Sequence, residues 1–154
     1  MSLTLTTAFK RFDGALAAWL VADATIASLT GHTADAPRIY IRAGDEEVPL
    51  PCLAVDVMSQ VAALADVDGI YIARVSCSAF AVDPQVTEDI IAAVAARAAQ
   101  NLATRADATF ESGAIKATSA RATGAMPTGA VAADDAAGVY VSGVELEIIW
   151  RDAS

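Results

Sequence analysis

Chemically reactive side chains are scarce in this sequence: it holds one histidine and two cysteines among 154 residues. A nucleophile with its base, paired carboxylates in a cleft or a metal-ligand cluster each leaves a trace in residue types and spacing, and little of that is present. His32 lies in the polar, proline-bearing link 32–37 and reads as a solvated loop residue rather than a general base. Cys52 and Cys77 have no C-x-x-C spacing and no histidine nearby, so a metal or redox pair lacks support. Both sit in apolar runs, as buried reduced thiols do. Gly124 and Gly129 build no phosphate cradle, because no strand leads through them into a helix. No enzyme activity, cofactor or metal is expected. Long hydrophobic runs are missing too. Lys10, Arg11 and Asp13 interrupt the first apolar stretch and Glu88, Asp89 and Arg97 the later one, so no window reaches the roughly 18 apolar residues of a membrane span. The start Met1-Ser2-Leu3-Thr4 has no basic, then apolar, then small-residue pattern of a signal peptide, and the expectation is synthesis in the cytoplasm. Positive charge is the last shortage. With 19 acidic and 10 basic residues the formal charge is -9, which repels a phosphate backbone instead of releasing its counterions.

What is present is an ordered alternation of helix and strand patterns of a length that fits one core. The 55% hydrophobic content is thinner than it looks, since 37 residues are alanine. Leu5, Phe9, Phe12, Leu16, Trp19 and Leu20 recur at three and four, the period of a helix with one buried face. Asp23 is placed to cap a short turn through Thr25, Ile26 and Leu29 that Gly31 stops. Strands are predicted over 38–43, 52–58 and 70–82. In the third, Tyr71, Ala73, Val75, Cys77 and Ala79 share one side and Arg74, Ser76 and Ser78 the other, the alternation of a sheet covered on a single face. Asp83-Pro84 opens a second main helix running to about Ala103, with Val86, Ile90, Ile91, Val94, Ala98 and Leu102 on one stripe. A weaker strand over 114–123 and a strong one over 138–150 pair as a hairpin. The fold class is therefore α+β: a mostly antiparallel sheet of about five strands packed against two main helices in a single domain. Loops are expected over 43–50, over 60–69 as a hairpin tip, and over 124–137. The acids Asp45, Glu46, Glu47, Asp66, Asp68, Asp134 and Asp135 lie on those loops. Runs of exposed acids usually form solvated turns, with a divalent-ion site as the alternative. Arg38, Arg42, Arg74 and Arg121 fall within strands, where they guard a wet face or edge, or meet acids of a neighbouring subunit.

The whole chain resembles the tail-terminator, or tail-completion, proteins of long-tailed bacteriophages and gene transfer agents. The resemblance rests on the stretch Leu20-Val21-Ala22-Asp23-Ala24-Thr25-Ile26-Ala27-Ser28-Leu29, on Pro37-Arg38-Ile39-Tyr40, on Leu50-Pro51-Cys52-Leu53-Ala54-Val55, and on the closing Val144-Glu145-Leu146-Glu147-Ile148-Ile149-Trp150-Arg151. Cys52 departs from the pattern, in which an aromatic often follows the Leu-Pro pair. The resemblance implies a virion protein assembled in the host cytoplasm: a ring of copies, six in number, on the last ring of the tail tube. Such a ring halts tube growth and meets the head–tail connector, while DNA passes the lumen without specific binding. A head–tail adaptor, a tube subunit, or a small ligand-binding α+β domain are the alternatives. Under this reading the seven loop acids and Arg74 are interface or lumen residues.

Overall fold

The computed structural model describes residues 2–41, 49–64, 67–104, 110–112, 115–130 and 138–152. Helix α1 (Ser2–Val21) forms where the apolar stripe predicts it, and Phe12, Leu16, Trp19 and Leu20 are buried along one side. Helix α2 (Ala24–Thr30) is bounded as its ends predict. Asp23 Oδ1 accepts the Ile26 N–H at 3.0 Å, and Gly31 leaves the helix at φ 73°, a left-handed conformation that costs least without a Cβ. Strands β1 (Ile39–Ile41), β2 (Cys52–Leu64) and β3 (Val67–Ala81) follow. Helix α3 (Pro84–Thr104) starts after Asp83, whose Oδ1 accepts the Gln85 N–H at 2.9 Å. The chain then adds β4 (Phe110–Ser112), β5 (Ile115–Ala130) and β6 (Tyr140–Asp152).

All six strands join one sheet in the order β1-β2-β3-β6-β5-β4, with β1 parallel to β2 and every other pair antiparallel. The expectation of about five strands and two main helices is one short of each, since β4 carries no pattern of its own and α2 is a proper seven-residue helix. The predicted hairpin tip over 60–69 is also corrected: β2 runs on to Leu64 and β3 begins at Val67. Likewise β5 continues through Gly124 to Ala130, where the sequence predicts the start of a loop. Of the loop expected over 43–50, residues 43–48 lie outside the described residues, as do 131–137.

The helices cover one face of this sheet. From the strands, Leu53, Val55, Val57, Ala73, Val75, Cys77, Ala79, Val144, Leu146, Ile148 and Trp150 point into the shared core, and from α3 Ile90, Val94 and Ala98 meet them. Alanine on both sides, as at Ala73, Ala79 and Ala98, lets helix and strands approach closely. An aromatic cluster locks α1 down. The Phe12 and Trp150 rings stack with centroids 4.8 Å apart, Tyr71 lies 4.7 Å from Trp150, and Trp19 lies 5.0 Å from Phe110. The Trp150 Nε1–H donates to Gln60 Oε1 at 2.9 Å, so the indole's one polar atom is satisfied inside the cluster. Arg97 ties α3 back to the α1–α2 corner: it donates to the Trp19 carbonyl, sits over the Trp19 ring at 5.4 Å and approaches Asp23 at 3.9 Å. Among the described residues no single helix is long and apolar enough to cross a membrane.

Candidate assembly surfaces

Among the described residues the opposite face of the sheet carries no helix, and its side chains follow from the strand register. One row runs Asp56, Ser76, Glu145, Gly124; the next toward the β2–β3 hairpin runs Ser59, Arg74, Glu147, Arg121; a third runs Val61, Ile72, Ile149, Ser119. In the other direction lies Ala54, Ser78, Gly143, Met126. Small side chains in the middle leave a shallow hollow of about 540 Å3 bordered by Ala54, Asp56, Ser76, Ser78 and Phe80. At Gly143 an added Cβ would stand 3.0 Å from the Met126 terminal methyl and 3.4 Å from the Cys77 carbonyl, so the Met126 side chain lies across the bare backbone there. Arg121 and Glu147 form a two-point contact, Nε and one terminal nitrogen lying 3.2 and 3.0 Å from the same carboxylate oxygen. Their cross-strand register brings them together.

On the helix side, a second hollow of about 620 Å3 lies between α3 and the outer half of β5, bordered by Ile91, Ala92, Ala95, Ala122 and Ala125. A line of hydroxyls closes its end. The Ser142 Oγ lies 2.8 Å from Thr87 Oγ1 and 2.7 Å from Thr128 Oγ1, and Thr128 donates to Glu88 at 2.9 Å. Thr87 also donates to the Pro84 carbonyl. Nothing in the residue pattern announces this chain of hydroxyls, because its members lie 14 and 55 residues apart.

The residues singled out from the sequence do not gather into one site. Asp45, Glu46, Glu47, Asp66, Asp134 and Asp135 lie outside the described residues; Asp68 falls in β3, and Arg74 is exposed in the middle of the helix-free face. His32 is no idle loop residue. Its Nδ1 accepts the backbone N–H groups of Arg38 and Ile39 at 2.9 and 3.2 Å, which fixes the link into β1. Arg38 is likewise used within the chain, donating to the Leu50 and Pro51 carbonyls. Cys77 is fully buried and its thiol is pushed up to about 12 by burial alone. Burial raises Cys52 as well, against the Phe80 backbone hydrogen bond and the Arg38 charge. Cys52 pairs with Phe80 on the helix-free face and Cys77 with Val55 on the core face, so the two thiols point to opposite sides of the sheet. Among the described residues no three metal-ligating side chains come together.

These features define a small α+β protein whose sheet is covered by helices on one side, with broad surfaces and no converged polar pocket among the described residues. No protein-family model and no curated protein matches the chain. Among solved structures its fold is similar to that of a chain from the virion of a native gene transfer agent (GTA) particle, with a TM-score of 0.55 and 16% identity, over 90% of this chain and 93% of that one. At that identity the likeness is one of fold.

Proposed function

We propose that this chain is a structural subunit of a tailed-virus-like particle, performs no reaction, and acts as the tail terminator. Copies of it, six in number, close into a ring on the last ring of the tail tube, end tube growth and offer a surface to the head–tail connector. The observation that carries this reading is the fold shared with a virion chain over nearly the full length of both. The sequence resemblance supports the finer assignment. Its segments fall on the α1–α2 corner, on β1, on the start of β2 and on β6, the parts that hold the sheet to its helices. A ring requires two different patches on each subunit that fit one another, with a rotation that closes. The net charge of -9 suits a wall past which DNA slides without sticking. Assembly takes place in the host cytoplasm and the ring resides in the neck of the particle. Electron microscopy of particles produced without this chain tests the reading. Tails of excess length, or tails unjoined to heads, are expected; normal, infectious particles would refute it.

A further inference from the structure

The long outer strands of the sheet are each covered over only part of their length. β1 lies against residues 53–55 of β2, and β4 against residues 115–117 of β5. Among the described residues, 56–64 of β2 and 119–130 of β5 therefore have a sheet neighbour on one side only. Such an edge offers a row of backbone N–H and C=O groups to any passing strand, and lone proteins blunt it with charges, prolines or very short strands. Here the guard is thin. The first stretch carries one charge, Asp56, and the second carries one, Arg121, with a single proline, Pro127, toward its far end. Three of the four large hydrophobic side chains exposed among the described residues, Met58, Val61 and Met126, sit on these two stretches.

The stretches also match each other. β2 is antiparallel to β3, β3 to β6 and β6 to β5, so β5 runs opposite to β2. A second copy set beside β5 by a rotation that keeps strand sense presents its β2 in the antiparallel direction, and the alternation continues across the junction. Their heights coincide as well, because Asp56 and Gly124 lie in one cross-strand row and Val61 and Ser119 in another. Arg121 already meets Glu147 within its own chain, so what matches the two stretches is strand sense and height.

We propose that each copy of this chain pairs residues 56–61 of its β2 antiparallel with residues 119–124 of β5 in the next copy, the parts that neither β1 nor β4 covers at matching heights, so that one sheet runs through the assembly. The proposal rests on the ring reading above and names the two patches that reading requires. Cysteine cross-linking of the purified full chain tests it, with Ser59→Cys or Val61→Cys on one partner and Ser119→Cys or Arg121→Cys on the other. Within one chain β2 and β5 are three strand spacings apart, roughly 14 Å, and a disulfide bridges Cα atoms no more than about 7 Å apart, so any link joins two copies. The expected result is a covalent dimer on mixing a β2 variant with a β5 variant, with none from either alone, and a ladder of higher species from Val61→Cys combined with Ser119→Cys. Links between like variants, or no links while light scattering shows oligomers, would overturn the edge pairing and leave the ring standing. Monomers at every concentration would overturn both.

Discussion

Phe12 is the side chain through which α1 grips the sheet, and replacing it measures how firmly. It is fully buried, stacked on Trp150 with centroids 4.8 Å apart and tilted against Phe110 at 6.2 Å. Phe12→Ala removes a ring from a packed site that cannot collapse around the gap, because α1, β4 and β6 all border it. Phe-to-Ala changes of this kind cost about 3–5 kcal/mol, of which about 0.5–1.5 kcal/mol belongs to ring geometry and not to area alone. Against a total stability of about 5–15 kcal/mol, that is a large share. With a urea slope of about 2 kcal/mol per molar, a loss of about 4 kcal/mol lowers the midpoint by about 2 M. Tryptophan fluorescence is the natural probe, since the chain's two tryptophans, Trp19 and Trp150, are both in this cluster. Phe12→Leu keeps an apolar body without the ring and should fall between wild type and Phe12→Ala. A midpoint lowered by less than about 0.5 M at unchanged slope would mean that α1 is not held by this contact and that the stacked geometry carries no energetic weight.

Other consequences can be checked with the same denaturation assay. His32→Ala leaves the Arg38 and Ile39 N–H groups without their acceptor, costs about 1–3 kcal/mol, and speeds hydrogen exchange at those two amides. Asp23→Ala removes the cap on Ile26 and the acid 3.9 Å from Arg97, for a loss of about 1 kcal/mol. Cys77 gives a pH dependence of defined sign. Its thiol is held up at about 12 in the folded protein against an ordinary value of 9.0, so above pH 9.0 the unfolded chain releases this proton first and the folded state binds more protons. Stability from this group is complete below pH 9.0 and falls as pH rises toward 12. Cys77→Ala removes that part of the slope, and a thiol reagent at pH 8 should leave native Cys77 unmodified until the protein is unfolded.

The parts of the fold legible in the sequence are those where one period persists. Phe12, Leu16, Trp19 and Leu20 keep helical spacing without interruption, and residues 70–81 keep strict alternation, because α1 from Phe9 onward and β3 from Ile70 onward each have one buried side. The parts that are not legible are those where bulges break the period. In β2 a register shift between Val57 and Ser59 turns Gln60 toward the core, where it meets Trp150, so a polar residue marks an inward position. In β5 three shifts, between Ala117 and Ser119, Ala122 and Gly124, and Met126 and Gly129, scramble the alternation, and residues 121–127 are exposed. A strand buried on neither face has no reason to show apolar periodicity, so it reads as a loop. The same exposure is what makes that strand's outer edge available to a partner. Of the predicted site residues, only Arg74 could be placed with its side chain, and its position on the helix-free face followed from β3 alternation. The roles of Arg38 and His32 leave no trace in the sequence, because their partners are backbone groups at a turn and across the sheet edge, which no residue-type pattern records.

Native mass spectrometry of the concentrated full-length chain bears most directly on the claim that it works by joining copies of itself into a closed ring. A single discrete species at six times the subunit mass, with no larger polymers, is the predicted spectrum. A spectrum of monomer alone at every concentration, or a continuous series of open-ended polymers, would contradict it.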